Sequence, residues 1–295
     1  MKYVITGGAG NISNLLTGEL LEAGNDVTVI GRSAGNLKSL TAKGATAAVG
    51  SLEDEAFVTA AFNGADAVYL MIPPNFAAGS LREYQNKVAD IYVNALREND
   101  TKYAVVLSSI GAHMGNGAGP IDGLSDLEKK LYGLTNLNVK NLRPSYFMMN
   151  FFGMVPMIKG MNIMGSNFGG NGRKLVLTHT TDIAAAAAEE LLALNFIGQT
   201  FRYIASDEKT PEEITTILSN AIGKPGIPWV VFSDEQALAG MLQAGLPQTI
   251  AEAYTEMGKA LREGTAEEDY WKNRPAPGAV KLEDFAKEFA AAFNA

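Results

Sequence analysis

The first forty residues constrain this chain more than any other stretch. An apolar run, Tyr3-Val4-Ile5, meets Thr6-Gly7-Gly8-Ala9-Gly10-Asn11-Ile12-Ser13, and a segment with Leu15, Leu16, Leu20 and Leu21 at helical spacing follows. A second apolar run, Val27-Thr28-Val29-Ile30, is closed by Gly31-Arg32. The order is strand, glycine turn, helix and strand, the unit that binds a dinucleotide. Gly7 permits a tight turn with positive φ, and Gly10 leaves room for a pyrophosphate to approach the backbone. A helix opening near Asn11 aims its unsatisfied N–H groups at that phosphate. Ser13 stands where the third glycine of the pattern usually falls, still small enough for the helix to lie close to the strand.

The end of the second strand bears on the choice of cofactor. An NAD site usually places Asp or Glu there, on the ribose 2′-hydroxyl. This chain has Gly31-Arg32-Ser33, with Lys38 a turn or two further on. A planar guanidinium stacks on adenine and pairs with phosphate oxygens. NADP(H) is therefore expected over NAD(H), with Arg32 and Lys38 at the 2′-phosphate. The competing reading is that both are solvated surface cations.

Hydrophobic residues make up 47% of the 295 residues and charged residues 19%, so a sizeable core is expected and disorder is not. The net charge of −8 argues against broad nucleic-acid binding. Cysteine is absent, which removes disulfides, thiolate metal sites and cysteine nucleophiles together. No apolar run approaches membrane length, and Met1-Lys2 leads straight into a strand. A cytoplasmic location without signal peptide or membrane contact is the expectation.

Strand and helix patterns then alternate. Helical stretches are expected over Leu37 to Ala42, Glu53 to Phe62, Leu81 to Arg97 and Leu124 to Leu134, and strands over Ala45 to Val49, Ala67 to Ile72, Tyr103 to Leu107 and Asn138 to Leu142. This alternation predicts an α/β fold, a Rossmann-type doubly wound parallel sheet with a smaller, mostly helical C-terminal subdomain. Residues 1–150 are read as the dinucleotide-binding domain. Residues 151–295 are read as a segment that returns to the sheet, through a strand at Lys174 to Leu177 and the alanine-rich helix after Asp182, followed by a small substrate- or partner-binding subdomain. A run rich in Met and Phe (Phe147, Met148, Met149, Phe151, Phe152, Met154, Met157, Met161, Met164) suits either a pocket wall or plain core, and a glycine-rich stretch from Gly165 to Gly172 follows it. Thr210-Pro211-Glu212-Glu213 predicts a capped helix start. Phe285, Phe289 and Phe293 share one helical face, read as core.

These residues resemble the NmrA-like branch of the atypical short-chain dehydrogenases. The resemblance rests on the glycine loop, Gly31-Arg32, Leu107-Ser108-Ser109-Ile110-Gly111-Ala112, Gly119-Pro120-Ile121, the helix with Glu128, and Leu142-Arg143-Pro144-Ser145-Tyr146-Phe147-Met148-Met149-Asn150. The family includes NADPH-dependent quinone reductases, triphenylmethane-dye reductases and regulators that bind the dinucleotide without known chemistry. The resemblance implies that Thr6, Gly7, Gly10, Asn11 and Ile12 hold the pyrophosphate and Arg32 the 2′-phosphate. It implies Ser51 and Leu52 beside the adenine, where relatives often carry Asp in place of Ser51. Met71, Ile72 and Pro73 would line the ribose and nicotinamide path, with Ser108 and Ser109 beside the nicotinamide. Tyr146 and Phe147 would face the acceptor.

Most short-chain dehydrogenases protonate an alkoxide with a Tyr helped by a Lys four residues later. None of the ten tyrosines here has Lys at that spacing; Tyr84, with Lys87, comes one residue short. Ketone chemistry and sugar-nucleotide epimerisation of that type are not expected, because an alkoxide is too basic to form without a matched proton source. Hydride addition to a quinone gives a far less basic phenolate-like anion, so orientation and hydrogen bonds to the developing oxyanion suffice. The leading expectation is hydride transfer from NADPH to a quinone or similar flat, conjugated acceptor, with Ser109 and Tyr146 as catalytic candidates. The rival is a non-catalytic NADP(H) sensor with a protein partner. His113, after the Ser108-Ser109 turn, is either a proton relay at the acceptor or a solvent-facing loop residue, and His179 reads as a helix cap. Two separated histidines and dispersed acids, Glu128 and Asp182 among them, support no metal site.

Overall fold

The computed structural model describes residues 1–170 and 172–295; Asn171, within the glycine-rich run, lies outside the described residues. The first half alternates as its hydrophobic periodicity predicts. It runs β1 (Lys2–Ile5), α1 (Asn11–Glu22), β2 (Asp26–Gly31), α2 (Ala34–Thr41), β3 (Thr46–Val49), α3 (Glu55–Phe62) and β4 (Ala67–Leu70). Then follow α4 (Leu81–Glu98), β5 (Tyr103–Leu107), α5 (Asp122–Tyr132) and β6 (Asn138–Pro144). The second half holds β7 (Tyr146–Phe147), α6 (Val155–Met161), β8 (Met164–Ser166), β9 (Leu175–Thr178), α7 (Thr180–Ala193) and β10 (Gln199–Ile204). It ends with β11 (Asp207–Lys209), α8 (Pro211–Ala221), β12 (Trp229–Val231), α9 (Asp234–Gln243), α10 (Gln248–Glu263), α11 (Glu268–Lys272) and α12 (Leu282–Asn294).

Seven strands form the main sheet in the order β10-β6-β5-β4-β1-β2-β3. The pairs β1–β2, β2–β3, β1–β4, β4–β5 and β5–β6 are parallel. The strand order turns between β1 and β4, the switch point outside which open sheets of this kind place their ligands. The strands read as unbroken apolar runs because both faces are covered; all four residues of β4 are fully buried. Asp54 caps α3 by accepting the Phe57 N–H, and Ser80 caps α4 by accepting that of Glu83. Below them, Val58, Phe62, Val88, Tyr92, Leu96, Leu127 and Leu131 pack on Val68, Leu70 and Val106.

The chain divides into two compact units that interleave along the sequence. The first holds Met1–Ser109, Gly123–Arg143 and Ile183–Arg202, and the second Ile110–Asp122, Pro144–Asp182 and Tyr203–Ala295. The expected single boundary near residue 150 is thus replaced by several crossings. The reason is topological: a parallel sheet gains each new strand only through a crossover, so the chain leaves after β5 and β6 and comes back. The segment that comes back also differs from expectation. β9 does not join the main sheet; it pairs in parallel with β7 and antiparallel with β11 in a separate three-stranded sheet. The main sheet is instead extended by β10, an edge strand with a half-exposed pattern that carries little apolar signal.

In the second unit part of the Met- and Phe-rich run is core, while Met161 is exposed. Met148, Phe151, Met154, Met164, Phe168, Phe285, Phe289 and Phe293 are all buried in one cluster. Thr210 and Glu213 form the expected capping box at the start of α8. His179 Nδ1 accepts the Thr181 N–H at 3.2 Å, the capping role read from its position. No helix among the described residues is long and apolar enough to cross a membrane.

Candidate active site

The glycine loop after β1 is shaped by two different demands. Gly7 and Gly8 lie at φ +95° and +56°, in the left-handed region that favours glycine. A Cβ at Gly7 would also lie 2.6 Å from Ser13 Oγ and 2.9 Å from Met71 Cγ. Gly10 has φ −66°, accessible to any residue, and a Cβ there would meet only the Gly7 carbonyl oxygen, at 3.1 Å. That contact is tight, and a Cβ at position 10 would also stand where a ligand's pyrophosphate approaches the backbone. Gly10 is the N-cap of α1, no side chain caps that helix, and its first turn holds no acidic residue. The positive end of the helix dipole is left for an anion.

Ser13 and Thr6 hold this loop rather than line it. Ser13 Oγ donates to the Thr6 carbonyl at 2.9 Å, bringing α1 close to β1. The Thr6 hydroxyl donates to the Tyr69 carbonyl at 3.1 Å and accepts the Met71 N–H at 2.8 Å, tying the carboxyl ends of β1 and β4 together. Thr6 is fully buried. Its side chain is spent inside the protein, and its backbone is what it offers a ligand. A residue the sequence reading missed has a related role. The Tyr92 hydroxyl, on α4, donates to the Met71 carbonyl at 2.7 Å and anchors the turn Met71-Ile72-Pro73 from beneath. With Val88 and Leu96 it lies on the buried face of α4, and helical spacing carries no information about where the hydroxyl goes.

At the carboxyl end of β2, Arg32 is exposed, as are Lys38 and Ser51. No carboxylate among the described residues pairs with Arg32 or Lys38. The nearby phenol of Tyr84 is raised chiefly by burial and further by Glu53, while the Arg32 charge pulls it down. Ser51 Oγ accepts the Glu53 N–H at 3.2 Å, a local turn that opens the way to α3, and Leu52 packs against the core. Ile12 and Ile72 are each 8% exposed, so what they offer is backbone and a methyl edge.

The carboxyl end of β5 holds a buried ion pair. Glu128, on α5, accepts from Arg143 Nε at 3.0 Å and Nη2 at 2.6 Å. It also accepts from the Ser108 hydroxyl at 2.5 Å. All three residues are buried, and the Arg143 guanidinium lies 4.3 Å from the centre of the Phe201 ring. Ser108 therefore gives its proton to Glu128 and has only acceptor lone pairs to offer outward. Ser109 is half-buried and its hydroxyl makes no hydrogen bond within the protein, which leaves it the freer of the two. Glu128 and Asp182 serve different ends. Asp182 accepts from Ser206 Oγ at 2.5 Å and from the Ala279 and Val280 N–H groups at 3.1 and 3.3 Å, so no carboxylate pair exists.

The structure thus brings together Gly7, Gly10, Asn11, Ile12, Arg32, Met71, Ile72, Pro73, Ser108 and Ser109 at the carboxyl ends of parallel strands in the first unit. Tyr146, Phe147 and His113 belong to the second unit. The Tyr146 ring packs on Phe151 at 5.3 Å and Phe168 at 5.4 Å, and burial pushes its hydroxyl well above the usual phenol range, with Tyr254 adding to the rise. His113 is exposed on the short 3-10 turn Ala112–Met114. Its charge helps hold the Glu268 carboxyl down, after the larger effect of the Glu268 bond to Lys272. No metal-binding cluster of His, Cys, Asp or Glu occurs among the described residues.

Residues 7–131 match the NAD(P)H-binding family model. Over 304 aligned residues, covering 99% of each chain, the protein is 26% identical to NAD(P)H azoreductase of Xenophilus azovorans. Its fold matches that of an NADPH-dependent quinone oxidoreductase from Escherichia coli, crystallised with NADPH, at a TM-score of 0.81 and 20% identity over 97% of this chain and 99% of that one. It also matches triphenylmethane reductase from Citrobacter sp. at a TM-score of 0.78 and 19% identity over 99% of this chain and 100% of the other. The chain therefore shares a full-length fold with dinucleotide-dependent reductases, and its glycine loop lies within the matched NAD(P)H-binding segment.

Proposed function

We propose that this protein is an NADPH-dependent reductase that passes a hydride to a quinone, an azo compound or a similar conjugated acceptor, and that it belongs to the NmrA-like branch of the atypical short-chain dehydrogenases. The observation that carries the reading is the pairing of an uncapped α1 behind Gly10 with two unpaired cations, Arg32 and Lys38, at the end of β2. This is a pyrophosphate cradle followed by a 2′-phosphate contact. The azoreductase relative, alike along its whole length, supports turnover over a purely sensing role.

NADPH, when bound, supplies the hydride. The backbone N–H groups of Asn11 and Ile12 would hold the pyrophosphate, and the Arg32 guanidinium the 2′-phosphate. Met71, Ile72 and Pro73, fixed by Thr6 and Tyr92, would line the nicotinamide path. Ser108, its own proton committed to Glu128, would act there as an acceptor only. The Ser109 hydroxyl donates to the acceptor oxygen or nitrogen that gains charge as hydride arrives. Tyr146 serves as a hydrogen-bond donor and not as the acid, because a phenol raised by burial holds its proton more tightly than a hydroquinone anion does. The proton that completes the product comes from water.

NADPH and NADH oxidation measured with a naphthoquinone and a carboxylated azo dye tests this reading. Wild type turns over with NADPH, and Arg32→Ala raises KM for NADPH about 10- to 100-fold while leaving NADH unchanged. Tight NADPH binding without turnover on any acceptor overturns the reductase assignment.

A further inference from the structure

The second unit carries a concavity that the reductase reading does not use. It encloses about 440 Å³ and is lined by Arg173, Lys174, Glu208, Glu267, Trp271 and Arg274. Lys174, Glu208 and Arg274 also border an adjoining hollow of about 600 Å³. In a chain of net charge −8, three cations on one small hollow stand out. Their charges are unevenly met. Arg274 is spent on Glu208, with both its bonds at 2.7 Å, and the Tyr270 hydroxyl completes that carboxylate at 2.6 Å. Among the described residues Lys174 has no hydrogen bond or ion pair, and Arg173 has one long contact, 3.5 Å, to the Arg262 carbonyl.

Glu267 is the unusual member. It is 3% exposed, yet its carboxylate receives a single hydrogen bond, from the Val176 N–H at 3.3 Å. A buried carboxylate left so poorly served is costly in its charged form. In its acid form it is a hydrogen-bond donor facing the hollow. Trp271, 42% exposed, offers an open indole beside it, with the Arg274 guanidinium 5.8 Å from the ring centre.

We propose that this concavity binds a small aryl carboxylate, its carboxylate held by Arg173, Lys174 and the acid form of Glu267 and its ring lying on Trp271. The class follows from the lining. With Glu208 neutralised by Arg274, the charges of Arg173 and Lys174 favour an anion, and an acid O–H at Glu267 shares its proton well with a carboxylate oxygen. The indole supplies a face for a flat ring. Binding depends on pH. Burial pushes Glu267 up to about 7, opposed by the Val176 N–H and Arg173 and assisted by Glu208. The other charged groups around it are Lys174 and Arg274. Above that pH Glu267 ionises and repels the ligand.

The experiment is a titration of Trp271 fluorescence with sodium benzoate in Trp229→Phe, which leaves Trp271 as the sole tryptophan, at pH 6.0 and 8.5 and fixed ionic strength. The expected result is saturable quenching with Kd about 30-fold higher at pH 8.5, since each pH unit above 7 costs about tenfold. Lys174→Ala, a change at an exposed side chain, weakens benzoate binding about tenfold at pH 6.0. Glu267→Gln keeps the donor and loses the pH dependence. The proposal is overturned by no saturable signal at pH 6.0, by equal binding of benzamide or inorganic phosphate, by Lys174→Ala binding like its parent, or by equal affinity at the two pH values. NADPH turnover measured alongside separates this site from the reductase reading, since Lys174→Ala leaves turnover without benzoate unchanged.

Discussion

Glu128→Ala tests how strongly the end of β5 is held. The carboxylate accepts three hydrogen bonds, from Ser108 Oγ at 2.5 Å and from Arg143 at 3.0 and 2.6 Å. The side chains of Arg143 and Glu128 are 6% and 4% exposed, so water cannot replace what is lost. Removing the carboxylate leaves a buried guanidinium without its counter-charge, a loss of about 3–5 kcal/mol. For a chain of this size that corresponds to a fall in Tm on the order of 6–20 °C. Replacing both partners, Glu128→Leu with Arg143→Met, removes the stranded charge and returns stability to within about 2 kcal/mol of wild type. Arg82→Ala is the comparator. Its pair with Asp126 is 40% and 18% exposed, and its loss costs below about 1 kcal/mol. Thermal unfolding followed by circular dichroism at one scan rate reads all of these. A Glu128→Ala variant within 2 °C of wild type, or a double variant less stable than the single one, refutes the argument that this pair is shut off from water.

Four further outcomes are expected. Gly10→Ala lowers Tm less than Gly7→Ala does, because its φ is ordinary and its one tight contact is the Gly7 carbonyl oxygen at 3.1 Å, but it loses NADPH affinity at least tenfold in a fluorescence titration, because the added methyl meets the pyrophosphate. Gly7→Ala lowers Tm by several degrees, since its φ of +95° and its contacts with Ser13 and Met71 both resist a Cβ. Tyr146→Phe lowers turnover without adding or removing an ionisation between pH 6 and 9, because burial keeps the phenol protonated throughout; a shifted pH profile tells against its assigned role. In denaturant titrations, Glu267 and Asp234 act in opposite directions. Glu267, raised to about 7 when folded, contributes stability below pH 4.5 that is lost as pH rises to 7, so Glu267→Gln removes that decline. Asp234, lowered to about 2 by its bonds from Arg262, contributes stability above pH 4 that is lost as pH falls towards 2, and Asp234→Asn removes that loss.

The glycine loop, the alternation through β6 and the Arg32 end of β2 were legible in the residues because each depends on local rules: φ at Gly7, helical or strand periodicity, and the charge at one strand end. The capping box at Thr210 and the buried Phe285, Phe289 and Phe293 were legible for the same reason. What tertiary structure alone decided is where polar side chains spend their hydrogen bonds. Thr6 reads as a cofactor contact but its hydroxyl ties β1 to β4. Ser108 reads like Ser109, yet only Ser108 reaches Glu128, twenty residues away along the chain. The partners of β9 and β10, the anchoring of Met71 by Tyr92 and the burial of Glu267 beside Val176 likewise join residues far apart in sequence. Periodicity reports which face of an element is buried; it carries no information about which distant donor meets which acceptor, because that pairing exists only once the elements have packed.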